Sequence, residues 1–279
     1  MDYKHLLSGA GAGIVTKTLT SPFDRIKILY QTDTKTVNRN VSIIQNIKHI
    51  YKTEGLLSFY RGNGANILKI VPNYSLKFSF NEYYKKTLYN KTEDLTLSQL
   101  TSVGILTGSS LITTTYPLDI LRTRFAVSSK NQSFYNYSKS VLQNEGLKGF
   151  YKGFGVSLVT GSIHVGFQMT SYDMYKSYLN KQIDSSISTN LLCGAGAGLT
   201  ALILTFPGDV IRKKLHVNGK LNETKLYENT FDCLKKTVQR QGIRNGLYSG
   251  LGISVIKTIP SSAIQFASFD FFKSMLSLW

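Results

Sequence analysis

A short motif of proline, acid and base occurs three times in this chain of 279 residues. The copies span 21–27, 116–122 and 206–212, and each contains the pattern Pro-x-Asp-x-x-Lys/Arg. Their prolines lie 95 and 90 residues apart, which is close to one third of the chain. Because self-similarity at a fixed period marks one structural unit used repeatedly, we predict three tandem repeats. We assign them to residues 1–92, 93–183 and 184–279.

Two further landmarks recur at the same period. Thirteen and nine residues before each proline are glycines in small, apolar segments: Gly9 and Gly13, Gly104 and Gly108, and Gly194 and Gly198. Such GxxxG patterns let membrane helices approach closely, so we expect them to pack the helices of each repeat. After a polar stretch comes an acid-Gly pair followed by Tyr-base-Gly, at 54–62 and 145–153. The third copy, at 241–250, lacks both the acid and the base.

Each repeat opens and closes with a segment long enough to cross a bilayer as a helix. The opening segments are 4–30, 98–127 and 187–216, and the closing segments are 63–88, 154–179 and 251–276. Between them lie short amphipathic stretches at 41–53, 134–144 and 228–240. Ser, Thr, Asn and Lys dilute the apolar character of the long segments, which indicates that one face of each lines a water-filled cavity. We therefore predict an all-α membrane protein with six transmembrane helices in three helical hairpins.

The complete set of landmarks resembles the signature of the mitochondrial carrier family, and the resemblance covers the whole chain. That signature is Pro-x-acid-x-x-base-x-base followed by acid-Gly-x4-aromatic-base-Gly, three times. The second repeat matches it throughout, whereas the first departs at Leu29 and the third at Gln241 and Ser249. The resemblance implies six helices with pseudo-threefold symmetry around a central cavity, in a transporter that exchanges solutes by alternating access rather than an enzyme. It also implies a monomer without a cofactor or a bound metal.

Ionisable groups within membrane spans are costly unless they are paired, so the repeated acids and bases are functional candidates. The resemblance implies a matrix-side gate with the pairs Asp24–Arg122, Asp119–Arg212 and Asp209–Lys27. It implies a cytoplasmic-side gate with the pairs Glu82–Lys176, Asp173–Lys273 and Asp270–Lys85. The family braces the matrix gate with a glutamine nine residues after the proline; here those positions hold Gln31, Ala126 and His216. Because one brace remains, we expect this gate to open readily.

The resemblance also places the substrate contacts midway along the closing helices, at Lys69, at Thr160 with Gly161, and at Lys257. Lys17, five residues before Pro22, falls within the same cavity. Several lysines near the bilayer midplane, without a matching acid in that register, require an anion of more than one charge. Phosphate esters satisfy this requirement.

The segments 64–72 and 256–260 resemble the branch of the family that carries nucleotides and coenzymes. We expect exchange of phosphorylated anions, with adenine nucleotides favoured and with coenzyme A and thiamine pyrophosphate as alternatives. The Arg-Arg-Arg-Met-Met-Met run of ADP/ATP translocases is absent, because 211–216 reads IRKKLH, so a standard translocase is disfavoured. The expected location is the mitochondrial inner membrane; a reduced mitochondrion-like organelle and the peroxisome stay open. Glycine-led helix starts offer free amides to anions, and the family uses such places for cardiolipin.

The net charge of the chain suggests a different function, which its distribution disfavours. Lys and Arg outnumber Asp and Glu by 33 to 16, a formal charge of +17 that is typical of nucleic-acid binding. The basic residues are spread along the whole chain, and no recognised nucleic-acid motif is present. A phosphate-loop ATPase is disfavoured too, because the glycines at 9–13 are not followed by Gly-Lys-Ser/Thr. Cys193 and Cys233 have no CxxC pattern, which favours packing over a disulfide or a zinc site.

Overall fold

The computed structural model describes residues 3–34, 36–38, 41–90, 96–128, 133–179, 187–219 and 225–277. The regular elements within these ranges are helices, and in chain order they are α1 (Tyr3–Thr32), α2 (Ile43–Glu54), α3 (Asn63–Tyr89), α4 (Leu97–Val127), α5 (Phe134–Glu145), α6 (Phe154–Leu179), α7 (Ile187–Val217), α8 (Thr230–Gly242) and α9 (Leu251–Ser277). Short 3₁₀ turns follow α2 (Leu56–Tyr60) and α5 (Leu147–Tyr151), and a π-helical turn follows α8 (Ile243–Leu247). The predicted spans and amphipathic stretches are confirmed to within two residues at each end.

The six long helices form a closed ring in chain order. Between repeats, α3 packs along α4, α6 packs along α7, and α9 returns to α1. The opening helices α1, α4 and α7 also contact one another. At the end that carries the proline motifs, Arg25 donates to the carbonyl of Ala126 and Arg124 donates to that of His216. Hydrogen bonds therefore connect the opening helices of neighbouring repeats at the proline-motif end of the ring.

Polar side chains in the long helices are compatible with a membrane because many bond to their own backbone. The hydroxyls of Thr16, Thr20, Thr115 and Thr205 each donate to the carbonyl four residues earlier, at 2.7 to 2.8 Å. A hydroxyl satisfied in this way costs little in an apolar environment. Within the described residues, Leu192–Val217 is the one helical stretch that length and composition alone identify as able to span a membrane. The repeat pattern was therefore needed to recognise the others.

Two of the three short helices, α2 and α8, begin with side-chain caps, and all three bury one face. Ser42 and Gln45 form a capping box at the start of α2, and Asn229 accepts from the Asp232 amide at the start of α8. Ile50 on α2 and Cys233 on α8 are fully buried. Burial raises the pKa of the Cys233 thiol to about 11. Cys233 is thus a packing residue, as predicted.

Two glycines show why a glycine follows the tyrosine by two residues at the end of each linker. Gly62 and Gly250 have φ angles of 88° and 84°, which favour glycine. A Cβ atom at Gly62 would lie 2.7 Å from the Arg122 carbonyl oxygen on the next repeat, and one at Gly250 would lie 3.4 Å from that of Lys27. The start of each closing helix is thereby pressed against the opening helix of the following repeat.

The expected packing role of the GxxxG glycines is wrong for most of them. A Cβ atom at Gly9, Gly104, Gly108, Gly194 or Gly198 would meet no described atom of another element within 4 Å. The close approaches occur instead at the glycines between them. A Cβ at Gly11 would lie 3.0 Å from the Phe272 ring on α9, and one at Gly196 would lie 3.2 Å from the Tyr175 ring on α6. The small residues make room for aromatic rings rather than for a helix backbone.

Candidate functional site

The carboxylate of Asp24 joins two repeats at the proline-motif end. One of its oxygens accepts from Arg122 at 2.6 Å, which is the predicted pair between repeats one and two. Its other oxygen binds the ammonium of Lys257, a predicted substrate contact on α9. Asp24 is largely buried, so both cations neutralise a charge that water hardly reaches.

The other two predicted pairs of the matrix-side gate are absent in this conformation. Asp119 binds Lys69 at 2.8 Å rather than Arg212. Arg212 pairs at 3.1 Å with Asp209 of its own helix, one turn away. Lys27 lies over the Phe206 ring, 5.3 Å from its centroid, instead of pairing with Asp209. The three-membered ring of pairs is therefore closed only between repeats one and two.

The opposite end of the bundle is open. The carboxylates of Glu82, Asp173 and Asp270 belong to exposed residues and form no ion pair with any described residue. None of the three predicted cytoplasmic-side pairs is present, and Lys176 instead lies over the Tyr172 ring at 5.7 Å. The bases Lys85 and Lys273 lie at the same end, on α3 and α9. Paired acids at one end and separated charges at the other describe a carrier that is closed at the proline motifs.

A cavity of about 310 Å³ lies above the closed end. Its lining includes two of the predicted contacts, Lys17 and Lys69, together with Arg122 and the side-chain amides of Asn66, Asn73 and Gln265. Lys69 and Arg122 are held by acids, whereas Lys17 has neither an ion pair nor a hydrogen bond within the described part of the chain. An entering anion therefore meets Lys17 as the available cation.

Lys257 lines a neighbouring cavity of about 250 Å³ that also contains Asp24 and Lys27. The remaining predicted contacts, Thr160 and Gly161, line neither cavity. The Thr160 side chain packs against Gly208 of α7, where a Cβ would lie 2.3 Å from the Thr160 Oγ1 atom. Gly161 faces Ile112 of α4. In this conformation Thr160 and Gly161 of the second repeat therefore pack against neighbouring helices and do not present a polar group to either cavity.

Sequence reasoning missed how the first repeat replaces its absent second base. In the second repeat Arg124 forms a bidentate pair with Glu145, at 2.7 and 2.8 Å, and reaches the carbonyl of His216. Leu29 occupies the equivalent position in the first repeat. Arg25, one helical turn earlier, makes the equivalent contacts instead. It pairs with Glu54 at 2.5 Å and donates to the carbonyl of Ala126. The spacing of four residues was the available signal, since it places both positions on one helix face.

The base of each Tyr-base-Gly motif adds a second ion pair to these two contact sites, which we call the junctions between repeats. Arg61 binds Glu54 at 2.6 Å and donates to the Ser128 carbonyl, while Lys152 binds Glu145 at 2.6 Å and donates to that of Asn218. Each acid thus holds two bases, and these bases donate to backbone carbonyls of the next repeat.

At the junction from repeat three to repeat one, Gln241 and Ser249 stand where the other repeats have an acid and a base. Lys214 donates to the Gln241 amide at 2.8 Å, and the Ser249 hydroxyl donates to the Tyr30 carbonyl at 2.8 Å. Gln31, the expected brace, is fully buried at this junction, but neither of its amide atoms has a hydrogen-bond partner in the described structure. The brace is therefore not formed here. His216, in the equivalent position, lies within 3.0 to 3.1 Å of the hydroxyls of Tyr116 and Thr123.

Three helical hairpins around a central cavity, closed at one end by ion pairs and open at the other, define a membrane carrier. The chain belongs to the mitochondrial carrier protein family, whose model matches residues 2–92, 93–183 and 184–278. Members of this family are transporters and not enzymes.

Similar carriers cover almost the whole chain. The mitochondrial carrier protein CoAc1 of Arabidopsis thaliana is 33% identical over 99% of this chain and 90% of its own length. The mitochondrial adenine nucleotide transporter ADNT1 of the same plant is 30% identical over 99% of this chain and 87% of its own length. The thylakoid ADP,ATP carrier protein of A. thaliana, a chloroplast protein, is 29% identical over 99% of this chain and 66% of its own length.

Proposed function

We propose that this protein exchanges phosphorylated, nucleotide-type anions across a membrane by alternating access, with adenine nucleotides as the favoured substrates. The observation that carries the proposal is the position of three cations that line two neighbouring cavities beside the closed end. Lys17 is uncommitted, whereas Lys69 and Lys257 are held by Asp119 and Asp24. A multiply charged anion can bind the first and then compete for the other two.

That competition supplies the coupling between binding and gate opening. The two acids hold the closed end together, so an anion that withdraws Lys69 from Asp119 and Lys257 from Asp24 weakens the closed state. A ligand shifts a conformational equilibrium only by its differential affinity for the two states. A singly charged solute would withdraw one lysine at most. Phosphate esters with several charges fit this demand, and the coupling favours exchange over one-way transport.

The similar proteins support the nucleotide class and leave the particular substrate open. ADNT1 is named as an adenine nucleotide transporter, and the thylakoid relative as an ADP,ATP carrier. The CoAc1 relatives support coenzyme A as the second candidate. Thiamine pyrophosphate is a weaker alternative that rests on the sequence resemblance alone.

We also propose a location, an oligomeric state and a bound lipid for the carrier. The favoured location is the mitochondrial inner membrane, with a monomer as the functional unit and three repeats bounded at 92/93 and 183/184. Cardiolipin is the favoured lipid at the junctions between repeats. When the cytoplasmic side closes, Glu82, Asp173 and Asp270 pair with the bases of neighbouring repeats, while the matrix-side pairs separate.

Reconstituted exchange tests the proposal directly. Proteoliposomes containing the purified carrier are loaded with ADP, coenzyme A, thiamine pyrophosphate, malate or an amino acid, and uptake of radiolabelled ATP is measured. We expect rapid uptake against internal ADP and little uptake into empty vesicles. No ATP uptake against any internal phosphate ester, or ATP uptake driven only by internal malate or the amino acid, contradicts the proposal. Fractionation of cells tests the setting, since an integral carrier stays with membranes after a carbonate wash.

A further inference from the structure

Three side-chain amides meet beside the uncommitted lysine. Asn66 and Asn73 on α3 and Gln265 on α9 line the cavity of about 310 Å³ together with Lys17. Asn66 is buried, and the other two are partly exposed toward the cavity. Asn73 follows Lys69 by one helical turn and Asn66 precedes it by three residues, so the two residues flank a predicted substrate contact on one face of α3.

None of these three amides forms a side-chain hydrogen bond within the described residues. Asn46 and Asn218, two amides outside this cavity, behave differently. Asn46 donates to the Tyr30 hydroxyl and the Asn38 carbonyl, both at 2.7 Å, and accepts from the Asn38 amide. Asn218 accepts from two backbone amides and donates to the Tyr227 carbonyl at 2.6 Å. The amide of Gln31 is also unbonded, but it stands alone; three unbonded amides around one cavity that also contains a lysine indicate a ligand as their partner.

A primary amide offers a hydrogen-bond donor and an acceptor side by side. This pattern complements the paired donor and acceptor on the edge of a nucleobase, and Asn and Gln bind adenine through its N6 and N7 atoms in this way. A phosphate group carries acceptors only, so it can bond to the amide NH2 group but leaves the amide oxygen without a partner. Lys17, in contrast, binds a phosphate as a point charge. The cavity therefore presents one cation for the charged part of a ligand and three amides for an uncharged, hydrogen-bonding part.

We infer that Asn66, Asn73 and Gln265 form the subsite that recognises the nucleobase, while Lys17 binds the phosphate chain of the same molecule. The inference rests on the proposed function and deepens it. It assigns base recognition to α3 and α9 rather than to Thr160 and Gly161, whose surfaces are occupied by α7 and α4. Adenine nucleotides and coenzyme A share an adenine ring and phosphates, so both remain ligands of this subsite, whereas inorganic phosphates use only half of it.

Two ligands that differ only in the nucleoside separate the two halves of the site. The full-length carrier in detergent is titrated with ATP and with inorganic tripolyphosphate, and binding is followed through thermal stabilisation. We expect ATP to bind the unaltered protein at least about tenfold more tightly than tripolyphosphate, because the amides bond only to the base. We expect Asn73→Leu and Gln265→Leu each to weaken ATP binding by about tenfold and to leave tripolyphosphate binding unchanged.

Two further variants complete the design. Lys17→Gln should weaken the binding of both ligands, and Asn81→Leu, which removes an amide from the same helix outside the cavity lining, should change neither. Equal losses for both ligands in the Leu variants would indicate a purely structural role and overturn the inference, as would tripolyphosphate binding as tight as ATP binding. If ATP binds and the Leu variants retain full affinity, the inference alone is wrong. If the unaltered protein binds neither ligand, the proposed function and the inference fail together.

Discussion

The Lys69 ammonium lies 2.8 Å from both carboxylate oxygens of Asp119. Lys69 belongs to repeat one and Asp119 to the proline motif of repeat two, so a predicted substrate contact is also part of the closure. Lys257 has the same relation to Asp24, between repeats three and one. In both cases the acid neutralises the lysine in this conformation. Under the proposed function, substrate binding and gate opening depend on the same two ammonium groups.

Removing either lysine should therefore stop exchange. We expect Lys69→Ala and Lys257→Ala to reduce ATP/ADP exchange in proteoliposomes to the background level, because the substrate can no longer loosen the closed end. Membrane insertion should be unaffected. The exposed Lys77 provides a control, and Lys77→Ala should retain normal exchange. Normal exchange by both cavity variants would remove these lysines from the site.

Removing an acid should have the opposite effect on binding. Asp24→Asn leaves Arg122 and Lys257 without their carboxylate, so both become available to an anion. We expect ATP to bind the detergent-solubilised variant about tenfold more tightly than the unaltered protein, since a competitor has been removed. Exchange should nevertheless fall, because the closed end cannot re-form. Weaker binding in this variant would show that Asp24 does not compete with the substrate.

Moving the guanidinium from position 25 to position 29 tests whether Arg25 replaces the missing second base of repeat one. Arg25 is almost fully buried, so Arg25→Leu leaves Glu54 with Arg61 alone and should lower the thermal midpoint of unfolding. Loss of one partner from a buried ion pair typically costs about 3–5 kcal/mol. The double variant Arg25→Leu with Leu29→Arg places a guanidinium where repeat two has Arg124, and should recover part of that loss. If the double variant is less stable than the single one, Arg25 does not substitute for a base at position 29.

The unbonded amide of Gln31 predicts an unusual result. A buried polar group without a partner costs about 1–3 kcal/mol, so Gln31→Leu should raise the thermal midpoint of the detergent-solubilised carrier. If Gln31 braced the gate in this conformation, the same substitution would lower it. Asn46→Leu is the contrasting variant, because the Asn46 amide is fully bonded, and it should be clearly destabilising.

The thiol of Cys233 should resist alkylation. Cys233 lies on α8, outside the membrane spans, and burial raises the pKa of its thiol from 9.0 to about 11. At pH 8 almost none of the thiol is therefore ionised to thiolate. The raised pKa means that burial of the neutral thiol contributes its full stability below pH 9 and loses it as the pH rises toward 11. We expect mass spectrometry after iodoacetamide treatment at pH 8 to find Cys233 unmodified in the folded carrier and modified after denaturation. Rapid labelling of the folded protein would contradict this burial.

The repeat period was sufficient to predict the helices, their order and the family, because these depend on local pattern and chain length. It correctly predicted that Asp24 pairs with Arg122. It did not predict the partner of Asp119, the pairing of Arg25 with Glu54 or the unbonded amides around Lys17. Each of these depends on which side chains from different repeats reach the same point.

The sequence by itself therefore determined a threefold carrier with charged positions at both ends. Only the tertiary structure decided which charges meet. Helical periodicity fixes the face on which a residue lies, and the long Lys and Arg side chains can reach several acids from one position. The distances between neighbouring helices select among those acids, so that Lys69 binds Asp119 and Arg212 stays on its own helix.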